Sequence, residues 1–246
     1  MKSAKSAAKS APATCAGATI REHKLRNGLR VLLVERHLDP VVVMMTWYGV
    51  GSRHEREDQA GLSHFLEHMM FKGTSNHGKG EVDRITTRLG GSNNAFTSSD
   101  HTAYWFELAS DRWETALELE ADRMHNLTLD ATEFAAEKAV VLEELAMGLD
   151  DPWRRLSEQV QQTLFGRNPY ARPVIGYADV LERTGPEDMR EYYRRFYHPG
   201  NATLVLCGDF QPRRAMQLVR RHFGALEALP ADRVAEPYRP PVAEPT

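Results

Sequence analysis

Two apolar stretches near the N-terminus predict the first strands of the fold. They are residues 29–35 and 41–48, and the second begins with three consecutive valines. Val, Thr, Trp and Tyr suit the pleated, half-buried surface of a sheet. The residues between the two stretches end in Asp39-Pro40, which is a turn signal. We therefore predict that the two strands form an antiparallel pair.

Beyond residue 60 the apolar positions recur mostly at helical spacing, with three further strand-like runs. The predicted helices cover residues 60–73, 81–89, 111–125, 130–146, 186–197 and 212–224, and another begins at Asp151-Pro152. The predicted strands cover residues 93–98, 102–108 and 202–207. Asp111 and Asp130 are the expected capping residues of their helices. Paired strands followed by runs of helices predict an α+β fold: a two-layer α/β sandwich with a mostly antiparallel sheet and helices packed on one face.

Length, charge and cysteine content restrict the possible functions. The 246 residues suffice for one large domain or two small ones, and a net charge of -3 gives no basis for binding nucleic acid. No apolar run is long enough to span a membrane. Two cysteines are too few for a disulfide framework or a thiolate zinc site. We expect neither a nucleic-acid partner nor a membrane span, and the lack of a clear targeting signal favours the cytoplasm.

Composition divides the chain into three parts. Residues 1–18 are mostly Ala, Ser, Lys and Thr, with no acidic residue and no apolar core of a secretory signal, and they predict a disordered tail. Residues 229–246 contain prolines interleaved with Ala, Glu and Arg, which is typical of an extended linker or tail. Residues 19–228 are the predicted folded domain.

The candidate chemistry centres on the sequence His64-Phe65-Leu66-Glu67-His68. On a helix, His64 and His68 lie one turn apart and leave the same face, and Glu67 projects from that face as well. Two neutral imidazoles at this spacing can share one Zn²⁺, and a neighbouring carboxylate can act as a base toward water. The motif is H-x-x-E-H, the inverted form of the zinc-protease helix. Taken alone, it also fits a helix whose histidines face solvent.

A third protein ligand is required, and the predicted helix after Asp130 offers Glu137, Glu143 and Glu144. Glu137 and Glu144 are seven residues apart and share one helix face, whereas Glu143 is rotated from them by about 100°. A carboxylate on an apolar face needs a partner, which a metal can provide. Helix geometry by itself does not decide between Glu143 and Glu144, and solvated surface glutamates are the simpler explanation of this helix alone.

Several motifs in order make a family resemblance specific. The chain resembles the pitrilysin, insulysin and mitochondrial-processing-peptidase family of inverted-zincin metallopeptidases across about residues 20–225. The matching segments are residues 64–74, 90–97, 140–144, 168–170, 175–176 and 197–201. The resemblance implies a zinc-dependent endopeptidase, a hydrolase with one Zn²⁺ per chain.

The resemblance also implies roles for individual residues. His64, His68 and Glu144 are the expected metal ligands, and Glu67 is the expected general base, which passes its proton to the leaving amine. Glu137 is expected beside the ligands, where it orients them or helps protons move. The resemblance further implies that Asn94 and Ala95 lie on a strand that binds an extended peptide substrate by strand addition. An ordinary edge strand is the simpler explanation of that short polar segment.

Members of the smaller class of this family are about twice as long, with a second domain that supplies further substrate-binding residues. The resemblance therefore implies a homologous C-terminal half or a separate partner subunit. We expect the isolated chain to bind zinc but to cleave peptides poorly or not at all. Two alternatives are a non-catalytic assembly subunit of the same fold and a zinc-stabilised module that captures peptides without cutting them. The survival of all the motif residues argues against the first.

Overall fold

The computed structural model describes residues 14–15 and 17–227, and its strands form one mixed sheet. The strands are Thr14–Cys15 (β1), Ala18–Lys24 (β2), Arg30–Glu35 (β3), Val41–Tyr48 (β4), Ser92–Thr97 (β5), Thr102–Ala109 (β6) and Ala202–Gly208 (β7). Their order across the sheet is β1-β2-β3-β7-β4-β6-β5. Neighbouring strands run antiparallel except for β3 and β7, which are parallel. The mostly antiparallel sheet of the predicted α+β fold is thereby confirmed.

The predicted antiparallel pair of β3 and β4 is wrong, because β7 lies between them. In one row across the centre of the sheet, Leu33 of β3 is paired with Leu206 of β7, which is paired in turn with Met44 of β4. All three side chains are buried. The turn at Asp39-Pro40 reverses the chain as expected, but it places β3 and β4 two strand positions apart, with β7 between them. Short-range turn signals could not reveal a strand that comes from residues 202–208.

Eight α-helices are present among the described residues. They are Leu62–Met69 (α1), Glu81–Arg88 (α2), Glu114–Asn126 (α3), Ala131–Asp150 (α4), Pro152–Phe165 (α5), Ala178–Arg183 (α6), Pro186–Phe196 (α7) and Pro212–Phe223 (α8). Within the described part of the chain, no helix is both long and apolar enough to cross a membrane. The short helix α6 and most of strand β2 were not predicted from the sequence.

Side-chain caps explain where α4 and α5 begin. Asp130 accepts hydrogen bonds from the backbone N–H groups of Thr132 and Glu133, which satisfies two of the free donors at the start of α4. Asp151 accepts from the backbone N–H of Trp153 at the start of α5 in the same way. The predicted cap at Asp111 is wrong, because α3 starts at residue 114 and Asp111 pairs with the neighbouring Arg112 guanidinium instead.

The core lies between the sheet and the helices, on one face of the sheet. Alternate residues of β4, from Val42 to Tyr48, are buried, and the residues between them are only partly covered. The buried face shares one apolar core with residues of the helices, as where the ring of Tyr48 stacks on that of Tyr197 just after α7, with 4.2 Å between ring centroids. Helices on one face of the sheet agree with the predicted two-layer sandwich.

Three of the sequence-based predictions concern chain boundaries. Most of the predicted tail, residues 1–18, lies outside the described residues, but Thr14–Cys15 pairs with Ala18 and Thr19 as a short antiparallel ladder. Structure therefore begins before the predicted boundary of the folded domain, 19–228. The predicted linker, 229–246, lies outside the described residues.

Candidate metal centre

Helix α1 carries the H-x-x-E-H motif with its apolar side against the core. The residues spaced at one helical turn on that side are buried, which fixes the rotation of the helix and turns the motif outward from the core. These buried residues are Leu62, Ser63, Phe65, Leu66 and Met69. His64 and His68 retain 15% and 22% of their side-chain exposure, so both imidazoles line a surface that is open enough to admit an ion and water.

A buried carboxylate caps the beginning of α1. Glu55 accepts hydrogen bonds from the backbone N–H groups of Gly61 (2.9 Å) and Ser63 (2.7 Å). Burial raises the pKa of Glu55 to about 7, although those two hydrogen bonds and the charge of Arg172 act in the opposite direction. Gly61 has a φ of 97°, a left-handed conformation that favours glycine, and it redirects the chain into the helix. The start of α1 is therefore fixed by the hydrogen bonds from its first N–H groups to Glu55 and by the backbone conformation of Gly61.

Helix α4 supplies the acidic residues. Its buried positions include Glu137 and Val141, and this stripe continues at the helical repeat to Glu144. The Glu144 side chain is 43% exposed, so it lies where the stripe emerges from the core. Glu143 is not among the three residues that converge as a possible metal site in the described part of the chain.

The three candidate ligands converge from α1 and α4. His64 Nε2 lies 3.7 Å from one Glu144 carboxylate oxygen, and His68 Nε2 lies 3.5 Å from the other. One potential ligand atom from each residue lies within 4.8 Å of those of the other two, and no other group of three His, Cys, Asp or Glu side chains in residues 14–15 and 17–227 does so. Two imidazoles and one carboxylate are a donor set found in catalytic zinc sites.

The electrostatics of His64 suit a metal ligand. Burial, together with the neighbouring His68 and the positive charge of Arg154, lowers the pKa of His64 to about 4. The imidazole is therefore neutral at physiological pH, which is the form that binds a metal. Its Nδ1 atom is buried without a hydrogen-bond partner among the described residues, while Nε2 faces Glu144.

His68 is oriented by a carboxylate behind it. Its Nδ1 lies 2.8 Å from Glu137 Oε1, and the other oxygen of Glu137 lies 2.5 Å from Lys72 Nζ. With the proton on Nδ1, the Nε2 lone pair of His68 is available toward Glu144, an arrangement typical of metal-binding histidines. Burial alone would raise the pKa of Glu137, but the hydrogen bonds from Lys72 and His68 outweigh it and hold that pKa low. Glu137 therefore remains ionised.

The candidate base, Glu67, lies between the metal site and the edge strand β5. Burial raises its pKa, and the charge of Glu144 adds to that rise, whereas a hydrogen bond from Thr97 and the charge of His68 oppose it. The Thr97 hydroxyl donates to Glu67 Oε2. A carboxylate with a raised pKa is a stronger base, which suits proton transfer near neutral pH.

The predicted substrate-binding residues lie on β5, at the edge of the sheet. Asn94 and Ala95 are adjacent and therefore lie on opposite faces: Asn94 is exposed, and Ala95 packs against the core. The backbone N–H of Ala95 donates to Asn94 Oδ1 (2.8 Å). The last residue of this strand, Thr97, contacts Glu67, so the end of the edge strand adjoins the candidate base.

Four residues near the site were not singled out from the sequence. Lys72 could have been suspected from its spacing, because it follows His68 by four residues. Thr97 follows Ala95 by two and so shares its face, a signal that alternation in a strand provides. Glu55 and Arg154 have no such signal, because their proximity to α1 depends on tertiary packing.

Comparison with known proteins places these features in a family context. A family model described as Insulinase (Peptidase family M16) matches residues 30–177, and one described as Peptidase M16 inactive domain matches residues 185–246. The uncharacterized zinc protease YmxG of Bacillus subtilis is 32% identical over 209 residues, covering 85% of this chain and 51% of YmxG. The zinc protease PqqE of Helicobacter pylori is 34% identical over 216 residues, covering 87% of this chain and 49% of PqqE.

Solved structures agree with the sequence matches. A protease from Helicobacter pylori superimposes with a TM-score of 0.86 and 33% identity, covering 90% of this chain and 54% of that one. The first half of the periplasmic protease PqqL from Escherichia coli gives a TM-score of 0.80 and 27% identity, covering 86% of this chain and 47% of that one. The chain spans about half the length of the curated relatives it matches.

Proposed function

This chain belongs to the insulinase family of peptidases (peptidase family M16), and on that premise we propose that it is the metal-binding half of a zinc endopeptidase that hydrolyses extended peptides. The observation that carries the proposal is the convergence of His64, His68 and Glu144 beside the partly buried carboxylate of Glu67. A metal site without a neighbouring base could be purely structural and stabilise the fold. A metal site with an adjoining base of raised pKa suits hydrolysis.

Metal binding and proton transfer are assigned to different side chains of the site. When bound, Zn²⁺ supplies Lewis-acid chemistry that makes water nucleophilic at neutral pH and polarises a carbonyl. His64, His68 and Glu144 hold the ion. Glu67 takes a proton from the attacking water and delivers it to the nitrogen of the leaving amine, which restores the carboxylate for the next turnover.

Glu137 and Lys72 support this chemistry from behind His68. The ionised Glu137 keeps the proton of His68 on Nδ1, so that Nε2 remains a ligand. Lys72 balances the negative charge of Glu137 and holds it in place. We assign Glu137 to ligand orientation rather than to contact with the substrate.

The substrate is proposed to bind along the free edge of β5. An extended peptide can add to an open sheet edge through main-chain hydrogen bonds, which requires an unfolded segment and tolerates many sequences. Asn94 and Ala95 lie in the middle of that edge, where the backbone N–H of Ala95 donates to the Asn94 side chain. A carbonyl of the bound peptide would take the place of the Asn94 oxygen. Peptides and unfolded polypeptides are therefore the proposed substrate class.

Full activity is proposed to require a homologous second half. The matched relatives are about twice as long as this chain, and the solved structure of the first half of PqqL matches it. In this chain the candidate ligands lie on a surface, with Glu144 almost half exposed. A second half that covers this surface can exclude water from the site and supply donors to the scissile carbonyl.

The test combines metal analysis with peptide cleavage. The zinc content of the purified chain is measured, and cleavage of an unstructured peptide is followed for the chain alone and with its second half, with Glu67→Gln as the matched variant. We expect bound zinc in both proteins, and chelator-sensitive cleavage that Glu67→Gln abolishes. Wild-type chain that binds no zinc contradicts the proposal. Zinc and peptide binding without cleavage, even with the second half, identifies a peptide-capturing module instead.

A further inference from the structure

The candidate base has a hydrogen-bond donor that no motif identified. Glu67 is mostly buried, and the Thr97 hydroxyl donates to its Oε2 atom. The charges that shift the pKa of Glu67 belong to His68 and Glu144, which are themselves candidate ligands. The Thr97 hydroxyl, in contrast, is a neutral donor held by the sheet and not a candidate ligand.

The sheet fixes the position of Thr97. It is the last residue of β5, and in the ladder it is directly opposite Thr102, the first residue of β6. Thr102 is fully buried and its hydroxyl donates to the Val50 carbonyl (3.0 Å), which anchors that row. Thr97 is also β-branched, so its hydroxyl has few rotamers to choose from. A donor held in this way can restrict the carboxylate that it contacts.

The same strand carries the free edge. Alternation along β5 puts Asn93, Ala95 and Thr97 on the partly buried face, toward the helices, and puts Asn94 on the opposite face. β5 is the last strand in the sheet order, so no strand from the described part of the chain pairs with its main chain on the side away from β6. The strand that offers its main chain at the edge of the sheet therefore also carries Thr97, whose hydroxyl donates to Glu67.

We propose that Thr97 is a positioning residue: its hydroxyl holds the Glu67 carboxylate in the orientation for proton transfer and ties that orientation to the edge strand that takes the peptide. This inference rests on the proposed function, since it concerns the base of that reaction. Misplacement of a reacting group by about 1 Å can cost on the order of 100-fold in rate, so one hydrogen bond to a base can matter greatly.

The substitutions separate the hydroxyl from the strand. Thr97→Val keeps the shape and the β-branch but removes the donor, whereas Thr97→Ser keeps the donor. Thr184→Val serves as the matched control, because it removes a buried threonine hydroxyl that donates to the Val180 carbonyl (2.9 Å) at the end of α6. A loss shared by Thr97→Val and Thr184→Val measures a general cost of removing a buried hydrogen bond.

The first measurement needs no catalysis. Infrared spectra of the full chain with isotope-labelled glutamate, taken at one fixed pH, are subtracted from those of the same protein carrying Glu67→Gln, which isolates the carboxylate band of Glu67. We expect this band to shift and broaden in Thr97→Val and to stay unchanged in Thr97→Ser and Thr184→Val. An unchanged band in Thr97→Val overturns the inference.

The second measurement uses the chain with its second half. We expect Thr97→Val to lower kcat by about 10- to 100-fold, which is up to the lower end of what general acid–base catalysis contributes because the base itself remains, with KM changed less than about threefold. Thr97→Ser and Thr184→Val should remain within about threefold of wild type in both constants. Equal losses in Thr97→Val and Thr97→Ser contradict the inference. If the wild type does not cleave, the proposed function fails, and the infrared band alone decides the role of Thr97.

Discussion

The two helices that meet at the candidate metal centre are held in place very differently. Helix α1 has eight residues, five of them buried, and a buried carboxylate, Glu55, caps its beginning. Helix α4 has 20 residues, of which four are buried. It leads directly into α5, which buries none of its residues against the described part of the chain. Large apolar side chains such as Trp153 (78% exposed) and Leu164 (73% exposed) lie on that helix.

This contrast separates the candidate ligands into two groups. The histidines lie on an element whose position is set by the core, and His68 has a second partner in Glu137. Glu144 lies toward the less covered end of α4, with its side chain almost half exposed. Pre-organised ligands bind a metal with little rearrangement, whereas a partly exposed carboxylate retains more freedom. In the proposed zinc site, α1 would determine where the ion binds and α4 would complete the site.

The largest expected difference between the two regions is in stability. Leu66→Ala on α1 removes a fully buried side chain and should lower the free energy of unfolding by about 2–5 kcal/mol. Leu164→Ala on α5 makes the same chemical change at an exposed position and should cost less than about 0.5 kcal/mol. Urea unfolding of the isolated chain measures both. Similar costs for the two variants would show that α5 is packed more tightly than its exposure indicates.

Metal affinity should distinguish adjacent residues on α4. Glu144→Gln removes a candidate ligand and should weaken zinc binding by more than about 100-fold, beyond the range seen for partners of ligands. Glu143→Gln is the matched control and should stay within about threefold of wild type, since Glu143 lies outside the converging group. Competition with a chromophoric chelator measures both constants. The reverse order would assign the ligand to Glu143.

A smaller loss of zinc affinity is expected when the carboxylate that contacts His68 is removed. Glu137→Gln removes the carboxylate that orients His68 and should weaken zinc binding by about 10- to 100-fold. Glu133→Gln, one turn earlier on α4, breaks only the ion pair with Lys79 and should leave zinc affinity unchanged. The same competition assay applies. A Glu137→Gln protein with wild-type affinity would mean that burial alone orients His68.

The smallest expected effect concerns the cap of α1 and its dependence on pH. Glu55→Gln should lower the free energy of unfolding by about 1–2 kcal/mol, as other helix-cap losses do. Because the folded-state pKa of Glu55 is raised to about 7, the folded protein holds this proton more tightly than the unfolded chain. The stabilising contribution of Glu55 is therefore full below its ordinary pKa and declines as pH rises through about 7.

The gap in stability between wild type and Glu55→Gln should accordingly narrow from about pH 5 to about pH 8. Glu57→Gln, an exposed substitution two residues away, should show no such change. Chemical unfolding at a series of pH values provides the comparison. A gap that widens with rising pH would reverse the assigned direction of the Glu55 pKa.

Local sequence signals predicted most helices and strands, whereas contacts between distant segments determine the strand order and several contacts in the candidate site. The cap at Asp130 and the start of a helix at Asp151-Pro152 depend on residues close together in the chain, so both were readable in the sequence. The place of β7 between β3 and β4 depends on a contact between distant segments, and it was not predicted. The cap from Glu55 and the contact of Thr97 with Glu67 are likewise tertiary, and neither was predicted, although alternation along β5 could have indicated the face of Thr97.

The central position of β7 has a consequence for the order in which the chain can fold during synthesis. Residues 202–208 leave the ribosome long after β3 and β4, yet both of those strands pair with them. Until then the sheet consists of two separate ladders, β2 with β3 and β4 with β6 and β5. Their inner edges remain open, and unpaired edges of nascent chains invite aggregation. Translation that stops before residue 202 should therefore leave two half-sheets exposed to chaperones and proteases.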